Sequence, residues 1–445
     1  LFFVCVGFVG FVAYAASDWS QQQKITPDDG AAGEYFSNYW GGTNGESVTV
    51  DSTGTYAVVG AEDEDKAYVF KRSGATWAQV DMLTGPSSSS FGRSVDISGD
   101  YMIIGAPSDN RSYIYKRDTG LDTWSITEYI TSPHAGDFGW SVGIDGDYAV
   151  VGGPNYSPTI PQRLGQGGIE IYKRDTGLES WTVQTGVMAT WYPLAADDDE
   201  ANAYVGYTVD IDGDTVVAGA PGEDNTKGVN AGSVYVFTRS GETWSQQQKL
   251  EPALSSEMGM GTSSIAVSGD YFIATHYGPN VYVYYRLGDT WSHQQTITPG
   301  TGTYGTSVDL NGSYAIIGEA DTLNPAYNGA AYIYQRSGST WSQLGSTLIA
   351  SDGEAEDNFG CGVAINSNNY ALIGAAFDDD NGIDAGAAYI FNYAEVTNAA
   401  PVVTNVIPAT PSHQSTDGLG TITFDFSVEE TDVADTSEIT IEYTT

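Results

Sequence analysis

Phe91-Gly92-Arg93-Ser94-Val95-Asp96-Ile97, Ser98-Gly99-Asp100 and Tyr101-Met102-Ile103-Ile104-Gly105-Ala106-Pro107 follow one another without a break. After a loop come Ser112-Tyr113-Ile114-Tyr115-Lys116-Arg117, a short turn and Thr123-Trp124. This stretch holds four short runs of β-branched and aromatic residues that alternate with period two and are parted by turn formers. We denote them A (Ser94–Ile97), B (Tyr101–Ala106), C (Tyr113–Lys116) and D (Trp124–Ile130). Small residues at the end of B suit a crowded inner strand, where backbones approach closely.

The same order returns at Phe138-Gly139, Val205-Gly206, Tyr304-Gly305 and Phe359-Gly360, with degenerate copies beginning near Ser47 and Gly261. The Gly-Ala-Pro element recurs as Gly60-Ala61, Gly152-Gly153-Pro154, Gly219-Ala220-Pro221, Gly318-Glu319 and Gly374-Ala375. Seven copies over residues 17–396 give about 54 residues each, near the propeller-blade range. A solenoid would need distinct capping repeats. Six copies end on a strand D tryptophan: Trp77, Trp124, Trp181, Trp244, Trp291 and Trp341. The seventh stops at Tyr389-Ile390-Phe391, whereas an orphan D strand, Asp18-Trp19-Ser20-Gln21-Gln22-Gln23-Lys24-Ile25, opens the array and nearly duplicates Thr243–Leu250. The expectation is an all-β, seven-bladed propeller in which the N-terminal strand pairs beside Tyr389–Phe391 and leaves no open edge.

The paired Phe-Gly and Gly-Ala-Pro elements resemble FG-GAP repeats, the family of the integrin α-subunit propeller and of many secreted bacterial proteins. The resemblance spans the whole array and implies a seven-bladed fold with extracellular adhesion or ligand binding. Integrin-type repeats often hold calcium in a long acidic loop between A and B. Here that place has only tight turns, such as Asp145-Gly146-Asp147 and Asp212-Gly213-Asp214, too short to wrap six oxygens around an ion. The Arg-Ser-Gly-Ala-Thr-Trp turn at Arg72–Trp77 is similar to the Asp-box turn of sialidase propellers, but its arginine sits at a turn. A glycan-active enzyme is therefore a distant alternative.

Acids outnumber bases 57 to 16, a net charge of −41, which argues against nucleic acid and anionic membrane surfaces. Hydrophobic residues at 41% and aromatics at 12% suffice for a core, which excludes disorder. No H-E-x-x-H, G-x-S-x-G or P-loop pattern occurs, so no enzyme chemistry is expected.

Meander geometry puts the A–B and C–D turns on one face. Nine of the sixteen bases lie there: Lys71, Arg72, Lys116, Arg117, Lys173, Arg174, Arg239, Arg286 and Arg336. The B–C and D–A loops share the opposite face and are long, varied and acidic, which is where a rigid scaffold usually binds. Candidate ligand-binding residues are Asp197, Asp198, Asp199 and Glu200, with Asp352, Glu354, Glu356 and Asp357. Asp378, Asp380 and Asp384, around Gly382, form the metal candidate, for calcium, with spacing shorter than an EF-hand. Asn110, Asn155 and Asn311 match glycosylation acceptors, relevant in a eukaryotic source.

Residues 1–15 read as a secretory signal, an apolar run before Ala13-Tyr14-Ala15; its missing Met and charged start suggest a fragment. Removal would leave Cys361 alone, a small buried residue. Residues 17–396 form the propeller and 397–412 a Pro-containing linker. Residues 413–445 look like the start of an Ig-like or fibronectin-like sandwich, with strands near Thr421–Val428 and Ile439–Tyr443. The expected function is a secreted or surface-displayed binding module for an extracellular protein or glycan, with no membrane insertion once the signal is cleaved. The alternative is a structural part of a wall, filament or appendage that packs against neighbouring copies.

Overall fold

The computed structural model describes residues 18–30, 36–37, 47–132, 136–157, 165–184, 201–252, 259–261, 263–276, 278–300, 307–320, 328–394, 406–408 and 424–426. Trp19–Tyr393 form one compact unit. Among the described residues it contains seven four-stranded antiparallel sheets. In blade 2 the strands are Val95–Ser98, Tyr101–Ala106, Arg111–Asp118 and Thr123–Thr131, in sheet order. Each innermost strand packs against that of the next blade, and the seventh, Phe359–Ile365, packs against the first, Val48–Val50.

Burial follows the position of each strand in its sheet. Strand B of blade 2 is buried at every residue, because both its faces meet neighbouring blades. Strand C is buried until Lys116-Arg117, where it leaves the core. Strand D is mostly exposed, and Trp124 and Ile130 are its buried anchors.

The Phe-Gly and Gly-Ala elements of neighbouring blades touch, which explains why they recur together. A Cβ at Gly105 would fall on the carbonyl oxygen of Gly139 in the next blade. Gly60 meets Gly92, Gly152 meets Gly206, Gly219 meets Gly261 and Gly318 meets Gly360 in the same way. Gly92, Gly139 and Gly360 also hold φ between 95° and 97°, where a side chain is strained. At these five junctions two glycines therefore let blades approach as closely as backbones permit.

Blade 1 begins earlier than its sequence suggests. The place of Phe-Gly is taken by Phe36-Ser37, not by a copy near Ser47. Phe36 is buried, Ser37 has φ 80°, and its amide donates to Gly60 O at 2.9 Å. That bond matches Gly139 N to Gly152 O at 3.0 Å. An insertion before Ser47 and a serine in place of glycine hide the motif.

Closure is as expected. Strand Asp18–Ile25 pairs with Ala387–Ala394 as the outer strand of the seventh blade. Trp19 is buried and lies 5.5 Å from the Tyr393 ring. At the same seam Cys361 is a free, buried thiol beside Ser37, and burial raises its pKa.

In the other unit, Val406–Pro408 pairs antiparallel with Phe424–Phe426. The first of these lies within the stretch read as a linker and the second within the expected Thr421–Val428 strand. The sandwich itself, the Ile439–Tyr443 strand and the apolar segment 1–15 lie outside the described residues. No helix among the described residues is long and apolar enough to cross a membrane.

Candidate functional site

The turn face is assembled from the same few residues in blade after blade. Four C–D turn arginines reach the Asp of their own A–B turn: Arg117 to Asp100 at 2.5 Å, Arg286 to Asp270 at 2.8 Å, and likewise Arg174 to Asp147 and Arg239 to Asp214. The same guanidinium lies over the tyrosine that opens strand B of the preceding blade. Arg174 is 4.3 Å from the Tyr101 ring, Arg239 4.3 Å from Tyr148, Arg336 4.3 Å from Tyr271 and Arg72 4.7 Å from Tyr370. Blade 4 has Thr215 in place of the tyrosine, and Arg286 donates to its hydroxyl at 3.1 Å. These arginines hold blades together and neutralise A–B turn acids, so the turn face is an ionic mosaic and not a basic surface.

The loop face is built differently. Each B–C loop supports the D–A loop that enters the next blade: Asp65 accepts from the Ser89 and Phe91 amides, and Asn110 from those of Gly136 and Phe138. Several acids here are buried and belong to the fold. Glu62 accepts from Arg93 through both oxygens at 3.0 Å, and Arg93 stacks 3.4 Å from the Trp140 ring centre. Burial pushes the Glu62 carboxyl up, and Arg93 opposes that push. Glu223 meets Lys249 at 2.5 Å, and Glu319 accepts from Tyr332 at 2.6 Å.

At the seam the metal candidate is met by an ammonium. Lys24 lies 2.7 Å from Asp378, 2.6 Å from Asp380 and 3.1 Å from Asp352. Burial disfavours the Lys24 charge, but the three carboxylates outweigh it and raise its pKa. Tyr389 also donates to Asp378 at 2.6 Å. Asp384 holds a left-handed backbone, φ 54°. Among the described residues no three His, Cys, Asp or Glu side chains converge as a metal cluster.

The ligand-binding candidates separate into three groups. Glu354 and Glu356 are exposed, Asp352 pairs with Lys24, and Asp357 is buried. Asp357 accepts from the Glu354 amide at 2.6 Å; burial, with Asp378 and Asp379 nearby, pushes its carboxyl up to about 6. Asp197, Asp198, Asp199 and Glu200 lie outside the described residues. Asp28, Asp29, Asp63, Glu64, Asp379 and Asp380 are also exposed, on loops that follow one another across the seam between the seventh and first blades. Of the glycosylation candidates, Asn155 is exposed, Asn110 is engaged through its side-chain oxygen, and Asn311 ends an inner strand.

Sequence reading overlooked the axis. The seven inner strands enclose a cavity of about 260 Å³. Asp96, Asp210 and Asp309, at one position of blades 2, 4 and 6, line it. The intervening blades carry Thr49, Gly143, Ala266 and Ala364 there. The signal was present in Val95-Asp96-Ile97, Val209-Asp210-Ile211 and Val308-Asp309-Leu310, but a polar residue between apolar ones reads as solvent-facing.

A family model described as the FG-GAP repeat matches residues 19–76, 77–119, 193–237 and 341–391. Three of these regions open on a strand D tryptophan, Trp19, Trp77 or Trp341, so sequence unit and blade are offset by one strand. No curated protein matches the chain. Glycine-to-glycine blade junctions, seven sheets around one axis and four matched regions give one conclusion: the chain folds as a seven-bladed β-propeller, and four of its regions are FG-GAP repeats.

Proposed function

We propose that the protein is a non-enzymatic, secreted or surface-displayed binding module that meets its partner through the loop face at the seam of blades 7 and 1. The observation carrying this reading is the unequal use of charge. Turn-face arginines and aspartates are engaged with each other in a repeated, fold-serving pattern. Loop-face acids such as Glu64, Glu354, Glu356 and Asp379 project outward from loops that differ between blades. The partner is an extracellular protein or glycan with positive charge or many hydroxyls, and its association weakens as salt rises. Binding to a glycan array and to a panel of basic extracellular proteins tests this with the triple variant Glu354→Lys, Glu356→Lys, Asp379→Lys. Loss of binding at unchanged melting temperature is expected. Undiminished binding sinks the choice of face.

One observation favours the structural reading as a second possibility. Val80, Met82, Ile126, Tyr129 and Val183 are exposed on the outer strands of blades 1, 2 and 3. An apolar rim on consecutive blades suits lateral packing against neighbouring copies. Sedimentation of the wild type and of Met82→Lys, Ile126→Lys distinguishes this: assembly lost in the variant supports it, and a monomeric wild type removes it.

A further inference from the structure

The three axial aspartates join neighbouring blades. Asp96 accepts from Ile144 N of blade 3 at 2.7 Å, Asp210 from Val267 N of blade 5 at 2.6 Å, and Asp309 from Ile365 N of blade 7 at 2.7 Å. The other oxygen of each accepts the amide of the following residue at 2.7–2.8 Å, and Thr49 of blade 1 donates to Asp96 at 3.2 Å. Thus each carboxylate is held by two backbone amides while it lines a narrow cavity that, among the described residues, no Lys, Arg or His enters.

We propose that this axis is a proton-operated clasp: Asp96, Asp210 and Asp309 take up protons as the pH falls from about 8 to about 5, and the ring becomes harder to unfold as they do. Confinement and mutual repulsion disfavour three charges around one axis, and the amide bonds only partly compensate. Burial pushes Asp96 up to about 7 despite those bonds, with Asp309 adding to the push. Asp210 is raised well above the ordinary range by burial and by the charge of Asp96, and Asp309 rises to about 6 through burial. An unfolded aspartate titrates near about 3.9. A folded pKa above that value means the stabilisation is complete below about pH 4 and is lost as pH rises through 6 to 7. Acid should therefore firm this ring, the reverse of ordinary acid denaturation.

Other titratable groups lie around the axis. Asp145 and Asp212 line the same cavity nearer the turns, where they accept the Gly213 and Gly269 amides. Asp51 follows the first inner strand and accepts the Thr55 and Tyr56 amides. On the strands behind, Tyr101 and Tyr314 lie at the turn end and Glu319 at the loop end; Cys361 is on the seventh inner strand. Asp357 and Glu62, both raised, are on the loop face and stay constant in the comparison below.

Thermal melting between about pH 5 and about pH 8, in roughly 0.5 M NaCl to screen exposed acids, tests the clasp on the wild type and on Asp96→Asn, Asp210→Asn, Asp309→Asn. The wild type should melt several degrees higher at the acid end. The triple variant should show a much flatter profile, whatever its absolute melting temperature, since each Asn Nδ2 cannot accept the backbone amide that the oxygen it replaces accepted. A flat wild type, or equal slopes in both proteins, overturns the proposal. Carbon-13 NMR of aspartate carboxyls in the wild type gives a reading that needs no variant. Besides the carboxyl carbon of Asp357, three carbons titrating above about pH 5.5, and lost one by one in the single Asn variants that fold, support the clasp. Every aspartate titrating near about pH 4 rejects it.

Discussion

Gln23 and Trp77 grip each other across the seam: the Gln23 amide donates to Trp77 O at 2.7 Å, and Trp77 N donates to Gln23 Oε1 at 2.8 Å. Gln248 with Trp291 and Gln295 with Trp341 repeat the arrangement. Asp81 and Glu128 take the acceptor half at the same distance from their own tryptophans. The residue four places after Trp19, Trp77, Trp124, Trp244 and Trp291 thus anchors the next blade's outer strand. Replacing Gln23 by Ala leaves two backbone groups without this partner and should cost about 1–2 kcal/mol. Urea unfolding measures it, and an unchanged midpoint would show that the seam is held elsewhere.

Gly105→Ala puts a methyl group into the Gly139 carbonyl, and backbone cannot move aside as a side-chain tip can. We expect a loss of about 3 kcal/mol or more. Gly99→Ala is the control, since that turn glycine has φ 60° and no atom within 4 Å of an added Cβ. Its cost should be nearer about 1 kcal/mol. Equal melting temperatures for the two variants would refute the close-approach argument.

Arg174→Met keeps the aliphatic stem but removes the cation over Tyr101 and the pair with Asp147. Much of the ionic part is screened, so the expected loss is about 1 kcal/mol. A double-mutant cycle with Tyr101→Leu measures the stacking share, and a coupling near zero would remove it.

Lys24→Met leaves the buried Asp378 carboxylate without its ammonium partner. Breaking a buried pair from one side should cost about 3 kcal/mol at neutral pH. Chemical denaturation checks the value. In the wild type the Lys24 ammonium already sits among the Asp352, Asp378 and Asp380 carboxylates, so a calorimetric calcium titration should be silent. Heat that disappears in Asp380→Ala would instead place a cation there.

The blade count, the four-strand unit and the closing strand were legible because each depends on a pattern repeated many times. What escaped the sequence depends on contacts between copies. Ser37 replaces a glycine ahead of an insertion, so no spacing rule finds it, yet its backbone adopts the left-handed form of Gly92. Arg117 and its equivalents read as a charged face because their partners, Asp100 within a blade and Tyr56 in the blade before, meet them only after folding. Asp96 was part of the first motif quoted, but its meaning depends on Asp210 and Asp309 returning to the same axis. The loop acids were a mixed case, since composition cannot tell buried Glu62 and Asp378 from exposed Glu64 and Asp379.

The seam also dictates an order of events in time. Lys24 and Asp380 are 356 positions apart, so the strand synthesised first obtains its partner last. During synthesis the six intervening blades can stack locally, each on its predecessor, while Asp18–Ile25 waits beside an unfinished ring. Joining segments so distant carries a loop-closure cost, which blades already in place lower by fixing where the ends lie. The last event in the folding of this propeller is then the docking of its first strand, and until then strand Ala387–Ala394 has an open edge. A chain halted before residue 387 would carry a finished closing strand with nothing to close.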